Sequence, residues 1–211
     1  MSAFDSTAAR DISWRVVENE GLRSNQELPL LDSNLKVRQS LEAVGTRLLC
    51  MHAAASHAFG LPLDAARTWV DQEGLRDGLS RPEWEFLSGK GRTYQLAMQL
   101  QVHSVYTLAW CASLVGDFSV CSQIPDDLVG RLPDLRKSES SSLFRASLAL
   151  RPSEEMFAQL DVAYCFHWAW RDARLSLKHM RVNHESLAAQ RRKALEWMMR
   201  GGPWDEVPLD T

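Results

Sequence analysis

Between Arg151 and Leu177 the chain carries one unbroken apolar stripe. Met156, Leu160, Ala163, Phe166, Trp170, Ala173 and Leu177 follow one another at steps of 4, 3, 3, 4, 3 and 4. Only a helix places all of them on one face. From Val162 to Trp170 no residue carries a fixed charge, so the middle of this helix must be enclosed on nearly every side. A chain that buries such a helix has to surround it, and the rest of the sequence offers further helices and no convincing run of period-two alternation. The expected fold is all-α: a single-domain bundle of about seven to eight helices over residues 1–211, closed by a packed, irregular C-terminal tail.

The other helices are marked by periodicity and punctuation. A first helix is predicted over 6–19, ending near Gly21, and a polar, extended connection with Pro29 follows. A long helix is predicted over 34–58, with Leu41, Val44, Leu48, Met51 and Ala55 as its inward stripe. Gly60 stops it and Pro62 opens the next, which runs to Gln72 and Gly74. Ser80-Arg-Pro-Glu83 reads as a capping box ahead of Trp84, Phe86 and Leu87. A central apolar helix is expected over 93–115. Residues 116–142 turn polar, with Pro125 and Pro133, and predict a long connection with a turn or two of helix, then a short helix over 141–149. The last helix begins at Asn183 and stops at Gly201-Gly-Pro203.

Two faces in the C-terminal third bear on function. His167, Arg171, Arg174 and Lys178 share one side of the long helix, a solvated basic end or a dock for anions. On the last helix Leu187, Arg191, Ala194 and Met198 step by 4, 3 and 4, which puts Arg191 on the inward stripe. A buried guanidinium needs partners, and Asp161 or Asp172 on the preceding helix are the expected carboxylates. In the tail, Trp204 and Val207 are expected to pack, and Asp205 and Asp210 to pair with Arg171, Arg174 or Arg191.

Leu150-Arg-Pro-Ser-Glu-Glu155, the run Leu160 to Leu175, Gln190-Arg-Arg-Lys-Ala-Leu-Glu-Trp197 and Trp204 to Thr211 together resemble the bacterial family catalogued as domain of unknown function 4272. The resemblance is strongest over 150–211 and implies a soluble, all-helical, typically bacterial domain. Its pattern falls on Trp168, Arg171, Arg191, Leu195, Trp197, Trp204, Asp205 and Thr211. Two departures stand out: Gln190 stands where the family usually has an acid, and Leu100, Gln101 and His103 stand where it often has Trp-Arg-x-Glu. Charged groups that could form a site in relatives are missing there.

Composition narrows the function classes. The net charge of -3 argues against a nucleic-acid or anionic-membrane binder. No stretch is apolar for long enough to span a bilayer, and the N-terminus lacks a secretory leader's apolar region, so a cytoplasmic protein is expected. Cys50, Cys111, Cys121 and Cys165 form no C-x-x-C pair and read as reduced thiols; His52 and His57 are spaced wrongly for one metal, so neither metal nor cofactor is expected. The loop Ser88-Gly-Lys-Gly-Arg-Thr93 has the wrong glycine spacing for phosphate.

The first expectation is a non-catalytic domain that binds a protein partner, a regulatory or immunity-type role, with His167, Trp168, Arg171, Arg174, Arg191 and Trp197 as the candidate surface. A second is an enzyme or ligand-binding pocket for an anion around His167, Arg171 and Arg191. A third is a homodimer joined through an exposed apolar stripe. The arginines separate the first two: neutralised by Asp161, Asp172, Asp205 and Asp210 they are structural, whereas two pointing into a concave pocket would favour a ligand.

Overall fold

The computed structural model describes residues 4–32, 34–90, 92–176 and 183–210. Leu177, Lys178, Arg181 and Thr211 lie outside the described residues. The helices are α1 (Ser6–Asn19), α2 (Leu41–Ala58), α3 (Leu63–Gln72), α4 (Arg81–Leu87), α5 (Gln95–Leu100), α6 (Val102–Cys111), α7 (Ser142–Ser147), α8 (Ser153–Ser176) and α9 (Asn183–Arg200). Short 3-10 turns punctuate the connections, and there is no strand among the described residues.

The helices pack side by side in the order α1, α8, α9, α6, α2, α3. One apolar core runs through them from Val17 on α1 to Trp204 in the tail. The stripe of α8 lies within it: Met156, Leu160, Ala163 and Phe166 are all buried. That follows from position, because α8 has α1 on one side and α9 on the other.

Helix limits follow the capping chemistry. Asp5 accepts from the backbone N–H of Thr7 and Ala8 and starts α1. Ser80 and Glu83 form the expected capping box of α4. The helix predicted over 34–58 begins later, at Leu41, because Ser40 caps it by accepting from Ala43 N at 3.1 Å. The residues before Ser40 take another route: Arg38 N donates to Met198 O at 2.8 Å, which ties this segment to the end of α9.

The helix predicted over 93–115 is broken at Gln101 into α5 and α6, and it ends at Cys111. Ser113 adopts a left-handed φ of 59°. Its N–H bonds to Trp110 O and Leu114 N to Ala109 O, the paired bonds of a Schellman stop. The polar connection after it is anchored by buried Val120, Leu128, Leu132 and Leu135, with 3-10 turns at Leu128–Arg131 and Leu135–Lys137.

The tail packs as expected at Trp204, which is buried, and at half-buried Val207. Trp204 meets Trp197 edge-on at 5.7 Å. The Arg47 guanidinium and the Lys193 ammonium lie 5.4 and 4.7 Å from the centre of its ring.

Candidate functional site

Arg191 is inward, with 4% of its surface exposed, but its partners are not the expected carboxylates. Its Nη1 donates to Ser119 O and Val120 O at 3.1 and 2.6 Å, and its Nε and Nη2 each lie 3.3 Å from His103 Nδ1. The guanidinium lies 5.4 Å from the centre of the Tyr106 ring. α9 is sandwiched, and Arg191 projects toward α6 rather than α8, so Asp161 and Asp172 are on the wrong side. Since an arginine only donates, His103 Nδ1 must be the bare nitrogen of a neutral ring. Burial, reinforced by the Arg191 charge, lowers the His103 pKa to about 4.

Asp161 is fully buried and does form an ion pair, with Arg10 on α1. Arg10 Nε and Nη2 reach its two oxygens at 3.0 and 2.8 Å, and Ser13 Oγ donates to Oδ2 at 2.7 Å. The remaining Arg10 donors hold Leu28 O and Pro29 O. This pair pins α1 and the connection after it to α8. Asp172 is half-buried on the same helix.

His167 is buried, and its neighbour is Arg192, a residue the apolar periodicity did not single out. Arg192 Nη1 lies 3.2 Å from His167 Nδ1, its Nε and Nη2 pair with Glu196, and its Nη2 also donates to the carbonyl of Asp210. Glu196 in turn accepts from Arg200, and the Tyr164 ring centre lies 4.6 Å from the Arg192 guanidinium. The His167 pKa falls to about 4, first through burial, then through Arg192 and Arg171. The spacing Arg192-x3-Glu196-x3-Arg200 was the available signal, one helical turn per step.

The other candidates are dispersed. Arg171 is exposed, Arg174 pairs with Glu185 on α9, and Trp168 is half-buried against the core. Trp197 is buried and donates from Nε1 to Gly202 O. Asp205 accepts from the backbone N–H of Arg81 at the start of α4. Asp205 thus meets the backbone of Arg81, and the backbone carbonyl of Asp210 meets Arg192, because the tail folds toward α4 and along α9; Arg174 and Arg191 are held by Glu185 and by Ser119 O and Val120 O. His167, Arg171 and Arg191 do not converge: the first faces α9 through Arg192, and the third faces α6.

A wide concavity lies elsewhere. A cleft of about 810 Å³ opens between the end of α2, the start of α6 and residues 128–139. Ala55, Val105, Leu128, Leu132 and Leu135 form its buried floor. Phe59 and Val129, 65% and 64% exposed, stand at its mouth, with Asp134, Arg136, Lys137 and Glu139 around them. His52 and Ser56 project into it from α2. A smaller pocket of about 530 Å³ lies against the tail, between Arg47, Trp197 and Trp204.

Among the described residues no three His, Cys, Asp or Glu side chains converge as a metal site would require. None of the described helices is long and apolar enough to cross a membrane. Burial pushes the thiols of Cys50 and Cys165 up to about 12, away from the reactive thiolate.

No curated protein and no solved structure matches the chain. A family model does, over residues 10–207, which runs from within α1 into the tail. The chain belongs to the family described as Domain of unknown function (DUF4272).

Proposed function

We propose that the protein is a partner-binding, regulatory domain, and that it receives an apolar side chain of another protein in the cleft between α2, α6 and residues 128–139. The observation that carries this reading is the pair Phe59 and Val129, which leave their apolar surface in water on either side of an apolar concavity. Single exposed apolar residues are ordinary, but two flanking one cleft make a patch. The surrounding Asp134, Arg136, Lys137 and Glu139 give it a polar rim of both signs, the composition of an interface with an apolar centre.

The C-terminal arginines and tryptophans support the reading indirectly. Arg191, Arg192, Trp197 and Trp204 are buried and spent on internal contacts, so they frame the domain rather than form its contact surface. The test is site-specific photo-cross-linking in the native host. A cross-linker at Val129 is expected to trap one discrete protein species, and the same group at Leu143, which is 82% exposed and outside the cleft, is expected not to. Phe59→Asp should abolish the trapped species while leaving the melting temperature unchanged. Equal cross-linking from both positions, or none from Val129, would overturn the reading.

A further inference from the structure

The floor of the same cleft holds a pair of groups that partner binding does not use. The Pro133 carbonyl oxygen, which can only accept, lies 2.9 Å from His52 Nε2. That nitrogen must carry the ring proton, and Nδ1 of the neutral ring is left with a bare lone pair. Ser56 Oγ lies 3.4 Å from Nδ1, one turn further along α2. A helical serine commonly returns its hydroxyl hydrogen to the carbonyl four residues back. Here the imidazole four residues back receives it instead.

The ring is held in this orientation. It meets Trp69 edge-on at 6.4 Å, and Trp69 is itself fixed by its Nε1–H bond to Glu139 O at 2.8 Å. His52 is buried and Ser56 half-buried, and both line the cleft, so the base is shielded and the hydroxyl can be reached. A nucleophile, a base within reach of it and a third group orienting the base are the components that activate an alcohol. In structures without substrate the first of these contacts is often long and tightens on binding.

We propose that Ser56 is a nucleophile with His52 as its general base, and that the cleft hydrolyses carboxylic esters carrying an apolar acyl group. Ser56 Oγ attacks the ester carbonyl carbon while its proton passes to His52 Nδ1. The bond to the alcohol oxygen breaks, and the alcohol leaves with that proton. Water then gives a proton to Nδ1 and attacks the acyl-serine. The carboxylic acid departs and Ser56 recovers its hydroxyl hydrogen. The walls decide the acyl class: Ala55, Leu61, Val105, Leu128 and Leu135 offer no polar side-chain atom, and about 810 Å³ suits a chain of several carbons. Charged groups enter only from the facing segment, where Arg136 and Lys137 both engage Asp134 and Glu139 stands beside them.

This inference rests on the same cleft as the partner-binding reading but not on its guest. The full chain is treated at pH 8 with a fluorophosphonate probe, and the adduct is mapped by peptide mass spectrometry; 4-nitrophenyl acetate and octanoate are assayed beside it. One adduct on Ser56 is expected, absent in Ser56→Ala and formed at least about tenfold more slowly in His52→Gln, with octanoate turned over faster than acetate. Glutamine keeps an N–H for the Pro133 carbonyl but cannot accept the proton, and melting temperatures of both variants are read in parallel. An unmodified Ser56 in the wild-type chain overturns the proposal without reference to any variant. Equal labelling of His52→Gln overturns the role of His52. A partner trapped at Val129 with no Ser56 adduct removes this inference and leaves the binding reading intact.

Discussion

Acid should unfold this protein through two histidines that each receive hydrogen bonds from a buried arginine. His103 faces Arg191 and His167 faces Arg192, and both pKa values fall from 6.5 to about 4. The folded value lies below the unfolded one. Between pH 6.5 and 4 the unfolded chain therefore binds protons that the folded chain refuses. The stability tied to these rings is complete above about pH 6.5, declines as the pH falls through that window, and is gone below about 4. At ~1.4 kcal/mol for each tenfold change in proton affinity, the fall at His167 corresponds to about 3 kcal/mol. His103 is half-buried and better screened by water, so its share is smaller. A loss of ~4–5 kcal/mol is a large part of the ~5–15 kcal/mol that stabilises a typical domain.

The assay is urea unfolding by circular dichroism at pH 7.0, 5.5 and 4.5, on wild type and on His103→Gln/His167→Gln. Glutamine oxygen can accept from the same guanidinium groups and has no proton to gain. The double variant should keep most of the stability at pH 5.5 that wild type loses. Below pH 5 both proteins should weaken further, because Asp71, Glu85 and Asp134 are held below the usual carboxylate range by hydrogen bonds from Arg76, Arg81 and Arg136. A double variant whose stability declines between pH 7.0 and 5.5 as steeply as wild type would refute the assignment.

Three further outcomes follow from the packing. Arg10→Met or Asp161→Leu alone should cost ~3–5 kcal/mol by stranding a buried charge, whereas the double substitution should recover most of it, as a double-mutant cycle in urea would show. Trp204→Ala removes a buried ring that touches Trp197, Arg47 and Lys193, and should lower stability by ~3–5 kcal/mol; a chain ending before Trp204 should melt at least as early, and an unchanged melting temperature would show that the tail does not hold the fold. Ser113→Gly should raise stability by up to ~1 kcal/mol, since position 113 is left-handed and glycine adopts that conformation without strain.

Much of the helical layout was legible because it rests on local chemistry. Ser80 and Gly60 mark ends that the structure keeps, and the α8 stripe is buried from Met156 to Phe166, where its spacing put it. The helix limits that moved did so for reasons a single sequence conceals. Ser40 and Asn34 are both reasonable N-caps, and the contact of Arg38 with Met198 O decides between them. Ser113 is an unusual residue for a left-handed stop. The site was less legible. Periodicity found that Arg191 points inward, but not which way inward, because α9 buries two faces at once. Arg192, on the other face, reads as solvated by the same rule. His52 and Ser56 are ordinary residues of an apolar helix until the segment around Pro133 is brought against them.

The chain carries 19 arginines and 5 lysines, and the hydrogen bonds give that excess a structural role. Arg10 holds Leu28 O and Pro29 O, Arg47 holds Gly78 O, and Arg151 holds Trp110 O, Val115 O and Gly116 O. Arg191 holds Ser119 O and Val120 O, and Arg192 holds Asp210 O. In each case one side chain reaches from a helix, or for Arg151 from just ahead of α8, to carbonyls that lack a helical partner, at a helix end or in an irregular connection. An all-helical fold with long connections has many such carbonyls and no sheet to satisfy them. A planar fork with five donors can take two or three at once, and it can lie on Tyr106, Trp110 or Tyr164 while doing so. A lysine presents one compact head and can do neither as well. If base composition of the genome alone had set the ratio, Arg151→Lys would be neutral. The structure requires instead that it loosen the end of α6, exposing the amides of residues 112–116 to hydrogen exchange, while Arg23→Lys, outside this set of clamps, leaves exchange unchanged.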